Sequence, residues 1–347
     1  MKDFFKNVLA TVLGMFLFSA ICFGFMMMSI IGMIAASDTE TKLKDNSVLT
    51  INLSGVINEK ASTDYLGFLS GDAVENSGLN DILMAIKKAK NNDEIKGIYI
   101  EAGPLGAGFS TLQEIRNALA DFKKSGKWIV AYGDTYSQGS YYVASVANHI
   151  YLNPEGQVDW HGLASQPYYI KDLAAKFGVK YQVAKVGTFK SATETYTETK
   201  MSDANRLQVS LYLNGLWANV CKAVSESRKI SIPTLNTYAD EYQLFATPQS
   251  LIKKRLIDKL LYADQVKGEV KKLLGIDADE SINQVGISAM CNVVEDVNSD
   301  DGIIAIYYAE GEIVQMAPGG MLNNSTNIVS KNICRNLEDL KNDDDIK

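Results

Sequence analysis

No charged residue occurs between Val8 and Ala36, and the run opens a chain whose later hydrophobic positions recur in short, regularly interrupted blocks. As a helix the run extends ~43 Å, enough to cross a bilayer with tilt. It is too long for the apolar region of a cleavable signal peptide, although Ala35-Ala36-Ser37 offers a weak processing site if it were one. Residues 1–46 are therefore expected to be a membrane anchor and a polar spacer, the latter running from Asp38 to Asp45. Lys2 and Lys6 in front of the run favour a cytoplasmic N-terminus, which leaves the bulk of the chain on the outer side of the membrane.

From Val48 onward strand-like and helix-like patterns alternate. Val48–Ile57 reads as a strand, Asp81–Lys90 as a helix and Gly97–Glu101 as a second strand. Ser110 and Gln113 form a capping-box pair for a helix to about Lys124, followed by a short buried strand over Trp128–Tyr132. Strands separated by helices of this length predict crossover units and a parallel sheet covered by helices, an α/β fold. Further on, Lys180–Lys185 is strand-like. Ser202 is placed to cap a long helix with an apolar stripe through Leu207, Leu211, Leu216, Val220 and Val224. Leu251–Leu260, with Lys253, Lys254, Arg255 and Lys259, reads as an amphipathic helix. Gln284–Asp301 reads as a connection, and Pro318-Gly319-Gly320 with Asn323-Asn324-Ser325 as a loop.

Composition removes several function classes. A net charge of −7 with no compact basic run argues against nucleic-acid binding. Cys22, Cys221, Cys291 and Cys334 contain no CxxC pair, and with His149 and His161 as the two histidines a metal centre is not expected. No GxGxxG or GxxxxGK[ST] spacing occurs, so no nucleotide or other cofactor is implied. A Ser-His-Asp triad has no GxSxG signature, and the histidines read as structural.

Three stretches hold candidate chemistry. Ala102–Gly108 is a glycine-rich turn whose N–H groups could face an oxyanion, or which is turn chemistry alone. Ser137 and Ser140, in Asp134–Ser145, are either nucleophiles or a helix cap and a close-packing residue. Val186-Gly187-Thr188-Phe189-Lys190-Ser191-Ala192 puts one lysine on a tight turn. A lysine held in place and partly desolvated can lose its proton and act as a general base; otherwise it is a solvated surface lysine.

Asp134–Ser145, then Asn153–Gly162, then Val186–Ala192 resemble, in order and spacing, the N-terminal half of the long, two-repeat form of the signal peptide peptidase A (protease IV) family. The resemblance runs through most of the chain, including the anchor. It implies a crotonase-like (ClpP/crotonase-type) fold of repeated β-β-α units. It also implies a serine-lysine dyad that degrades cleaved signal peptides outside the cytoplasmic (inner) membrane, and assembly into a homo-oligomer. Carried over by motif, Lys190 is the general base. Counting back from Tyr141-Tyr142, Gln138 stands where the family's second half has its nucleophilic serine, so no nucleophile is assigned in this chain.

An internal repeat agrees. Asp81–Lys96 aligns without gaps with Asn332–Lys347, matching at Ile82, Lys90, Asn91, Asp93, Ile95 and Lys96, and strand-like runs precede each, Val48–Ile57 and Ile303–Val314. The expected organisation is an anchor (1–46), a first lysine-bearing repeat (47–290) and the start of a second, truncated repeat (291–347). The expected function is a membrane-anchored serine endopeptidase acting on signal or other peptides. A catalytically silent scaffold is the alternative, and a crotonase-like acyl-CoA enzyme a third reading.

Overall fold

The computed structural model describes residues 2–37, 40–61, 78–294, 304–316, 327–343 and 346. It divides into two units, Met1–Val294 and Glu295–Lys347.

The first unit begins with α1 (Lys2–Ser37). Within it Lys6–Met28 has a mean hydropathy of 2.3 and no residue buried, so one helix is long and apolar enough to cross a membrane. The body of the unit is a six-stranded sheet in the order β5-β4-β3-β2-β1-β6, with every neighbouring pair parallel. Its strands are β1 (Ser47–Val56), β2 (Ile95–Gly106), β3 (Trp128–Tyr136), β4 (His149–Val158), β5 (Lys259–Leu260) and β6 (Asn283–Val285). The first crossovers are α2 (Leu79–Asn91), α3 (Phe109–Phe122) and α4 (Gln138–Ala144).

Alternation along the strands decides which side chains are buried where. Leu49, Ile51, Leu53, Ile98, Ile100, Ile129, Ala131, Ile150 and Leu152 share the main core with Ile82, Ile86, Ile115, Leu119 and Phe122 of the crossover helices. The opposite positions, Val48, Val130, Tyr132 and Tyr151, pack under Val266 and Val270 of α10 (Ala263–Leu274).

Long cationic side chains close the buried helix ends. Arg116 of α3 is 5% exposed. It donates to the Tyr142 carbonyl at 2.6 Å, to Ser145 Oγ at 2.8 Å, to the Ala223 carbonyl at 2.7 Å and to Ser227 Oγ. Those acceptors lie in the C-terminal turns of α4 and of α7 (Asp203–Arg228), where the Tyr142 and Ala223 carbonyls also accept from Ser145 Oγ at 2.8 Å and Ser227 Oγ at 3.0 Å. Lys127 Nζ does the same for α2, donating to the carbonyls of Ala89, Lys90 and Asn92 at 2.8, 3.1 and 2.6 Å.

Several sequence expectations need correction. Ala102–Gly108 is not chiefly a turn: β2 runs on to Gly106 and pairs with β1, with an irregularity between Leu53 and Gly55. Beyond Ala102 that backbone is paired with β1 on one side, since the pairing of β2 with β3 ends at Ala102 and Gly133. The Ser110/Gln113 capping box is absent because α3 starts at Phe109 with Gly108 as its cap, which puts Ser110 inside the first turn. The basic segment 253–259 is split, with α9 (Pro248–Lys253) ending before Arg255, at φ 60°, and Lys259 entering β5. Gln284–Asp301 is partly structured, since β6 and α11 (Ile287–Cys291) belong to the first unit and residues 295–303 lie outside the described ones. The loop expected at Pro318–Gly320 and Asn323–Ser325 lies outside them too.

In the second unit β7 (Glu312–Val314) and β8 (Asn327–Val329) pair in parallel, followed by α12 (Ser330–Lys341). The strand expected over Ile303–Val314 is confined to its last three residues. α12 begins at the position that the repeat alignment places opposite Leu79, the start of α2. Among its described residues Val329 alone is buried, so these build no core of their own.

Arg116→Leu keeps the volume but removes the four bonds to Tyr142, Ser145, Ala223 and Ser227, and is expected to cost about 2–4 kcal/mol. Urea unfolding of the detergent-solubilised chain, followed by tryptophan fluorescence, checks this. A loss below about 1 kcal/mol would show that the helix ends are satisfied otherwise.

Candidate active site

β3 leaves the sheet at Tyr136 and α4 begins immediately after it. Both serines at this corner are used structurally. Ser137 is the N-cap, its Oγ accepting from the Ser140 N–H at 3.2 Å, and the fully buried Ser140 donates back to the Ser137 carbonyl at 3.1 Å. Tyr141 enters the core, donates to the Leu256 carbonyl at 2.8 Å and meets Trp160 edge-on at 5.8 Å.

Gln138, the first residue of α4, is buried. Its Oε1 accepts from the backbone N–H groups of His161 at 3.0 Å and Gly162 at 2.9 Å. Its Nε2 donates to the Gly162 carbonyl at 3.0 Å. The amide thus saturates the main chain at the end of the second motif, where Gly162 takes φ +83°, a conformation open to glycine at little cost. His161 Nδ1 is 2.6 Å from Asp159 Oδ1, and its ring meets Tyr242 edge-on at 5.7 Å. Among the described residues no serine hydroxyl is bonded to His161, so no Ser-His-Asp triad forms among them. His149 stacks on Tyr151.

Beyond Gly162 the chain runs out as an arm, 163–204, before α7. It contains α5 (Lys171–Lys176) and α6 (Glu194–Thr197), and its two limbs are joined by the Ile170 N–H donating to the Thr195 carbonyl at 2.8 Å. The strand expected over Lys180–Lys185 does not form, since no neighbouring strand is there to pair with it and every residue of 181–190 is exposed. The turn before the lysine is present, with Gly187 at φ +98°. Lys190 is exposed at the end of that turn and makes no hydrogen bond or ion pair with another described residue.

The first two motifs are brought together by Gln138 and Trp160. The third is not: among the described residues no hydrogen bond or ring contact joins 186–192 to 134–162. What holds the third motif is Glu194, a residue that sequence reasoning missed. Glu194 is 4% exposed and accepts from Ser202 Oγ at 2.6 Å, the Ser202 N–H at 3.3 Å and Asn205 Nδ2 at 2.9 Å. Burial alone raises a carboxyl's pKa, yet the bonds from Ser202 and Asn205 hold Glu194 below the usual carboxylate range. Ser202 simultaneously caps α7 through the Asn205 N–H, at 3.1 Å.

Residues 121–277 match the family model described as Peptidase family S49. The chain carries a peptidase family S49 domain. It is 35% identical over 295 residues to "Protease 4" of Salmonella typhi, covering 80% of this chain and 48% of that protein. With "Protease 4" of Haemophilus influenzae it shares 32% over 285 residues, 76% of this chain and 46% of the relative. With "Serine protease SPPA, chloroplastic" of Arabidopsis thaliana it shares 26% over 248 residues, 70% and 35% of the two chains. The chain spans about half the length, or less, of these relatives. The parallel sheet with its crossover helices is the ClpP/crotonase-like fold of this family, preceded by the apolar α1.

Gln138→Met fills the same space without polar atoms and leaves the His161 and Gly162 backbone groups unpaired. Limited trypsin digestion, read by mass spectrometry, is expected to cut the arm at Lys171, Lys185 and Lys190 faster by roughly tenfold. An unchanged rate would show that Gln138 does not hold the base of the arm.

Proposed function

We propose that this chain supplies the general base, Lys190, of a membrane-anchored serine-lysine endopeptidase that degrades cleaved signal peptides. Residues 47–290 form the lysine-bearing copy of the fold and 291–347 the beginning of a second. The observation that carries the reading is the presentation of Lys190, alone and accessible, on an arm free of any apolar core. A water-exposed ammonium is a poor base, so the chemistry requires a second surface to cover Lys190 and bring a serine to it. The serine comes from a second copy of the fold, because Gln138 occupies the corresponding corner here and both nearby serines are bonded into the cap.

In the assembled site the neutral amine removes the serine proton, the alkoxide attacks the peptide carbonyl, and backbone N–H groups stabilise the oxyanion. The lysine then protonates the leaving amine, and water releases the acyl group. The substrate is a peptide with an apolar segment, for which exposed Val186 and Phe189, in the same turn as the lysine, provide greasy contact. α1 holds the domain at the outer face of the inner membrane, where spent signal peptides collect, and the protein works as a homo-oligomer. Gln138 favours one second reading, a silent scaffold that keeps the fold and has lost the chemistry.

Replacing the codon for Lys190 by alanine in the protein's own source keeps any completing chain in place. Cleavage of a fluorogenic signal-peptide substrate by the purified membrane protein is expected to fall by at least about 10²-fold. Undiminished cleavage would remove Lys190 from the mechanism, and absence of cleavage by the unaltered protein would favour the scaffold.

A further inference from the structure

The arm that carries Lys190 has an unusual means of attachment. From Leu163 to Ala204 a single residue is buried, and it is a carboxylate, Glu194. Apolar side chains on the same segment are turned outward: Phe177 is 78% exposed and Val186 90%. Apolar packing on the arm comes from half-buried residues such as Leu163, Tyr169 and Ile170 and from the Tyr181–Tyr196 ring contact at 4.8 Å, so the hydrophobic effect contributes less to its attachment than a buried core would. Burying a carboxylate is unfavourable unless hydrogen bonds replace its water, and here three do so. All three come from the first turn of α7, where a negative charge also meets the favourable end of the helix dipole.

The placement in the chain matters as much as the bonds. Glu194 follows Lys190 by four residues, and the Glu194 N–H donates to the Ser191 carbonyl at 3.0 Å, so the anchored residue and the lysine turn are one short, internally bonded segment. α6 continues from it, with the Glu198 N–H on the Glu194 carbonyl at 2.9 Å. The far end of α7 is in turn fixed to the core, through the Arg116 bonds to Ala223 and Ser227 and through burial of Val220 and Val224. A continuous helix thus links a rigid sheet to the lysine turn, with one carboxylate as the joint.

We propose that Glu194 is the positioning residue for Lys190: its buried carboxylate fastens the lysine turn to the N-terminus of α7 and so fixes where the base enters the assembled site. The inference rests on the reading of Lys190 as the general base. The carboxylate touches neither substrate nor serine. Its contribution is to the geometry of the amine, and displacement of a base by about 1 Å is enough to cost roughly 10²-fold in rate.

The test uses Glu194→Ala and Glu194→Gln, made at the genomic codon and purified from the source membranes beside Lys190→Ala. Glu194→Ala is expected to lower kcat about 10²-fold with KM changed less than about threefold, and to displace the acid limb of the kcat/KM profile. Glu194→Gln, which keeps an acceptor oxygen, is expected to recover at least about tenfold of that loss. Tryptic nicking at Lys185 and Lys190 is expected to accelerate in Glu194→Ala, while the melting temperature of the sheet core stays within about 2 °C of the unaltered protein. A normal kcat in Glu194→Ala, with activity lost in Lys190→Ala, overturns the positioning role and leaves the base intact. A loss of kcat matched by collapse of the melting transition in both Glu194 variants overturns it in favour of a purely structural role. Retained activity in Lys190→Ala overturns both readings together.

Discussion

Backbone polar groups withdrawn from water have to find partners, and in this chain that requirement falls on a few long side chains at the junctions between elements. Arg116 satisfies the ends of two helices, Lys127 the end of a third, Gln138 the main chain at 161–162, and Glu194 the opening turn of α7. The parallel sheet supplies the apolar core, but it fixes only the strands and the helices lying on them. The arm with Lys190 is the extreme case, being held at its entry by an amide and at its exit by a carboxylate.

Such joints would suit a segment that meets another surface, as the proposed function requires of this arm. An arm with its own apolar core would be rigid but would spend its greasy side chains on itself. Here Phe177, Val186 and Phe189 face outward, while directional hydrogen bonds at the two ends limit where the turn can go. The His161 and Asp159 pair lies next to the Gln138 joint, and among the described residues no serine hydroxyl is bonded to it.

The sheet was legible because period-two alternation over Leu49, Ile51 and Leu53, and over Ile98 and Ile100, is a local signal that burial reinforces. The caps at Ser137 and Ser202 were legible for the same reason, each being a side chain acting within its own turn. The exit joint was not. Glu194 sits in a polar stretch with no periodicity, and its partners Ser202 and Asn205 become visible only when the chain has turned back on itself. The extension of β2 through Ala102–Gly106 was hidden by glycine and proline, which read locally as a turn and are overridden by pairing with β1. Lys180–Lys185 failed in the opposite sense, having a strand's composition with no neighbour to pair.

Amide hydrogen exchange across 159–206 in the intact, detergent-solubilised protein tests the two-joint arm most directly. Protection is predicted at the amides of His161, Gly162, Ser202 and Asn205, flanking a rapidly exchanging stretch from Lys180 to Lys190. Fast exchange at the joints as well as between them, or slow exchange throughout the arm, would contradict the account.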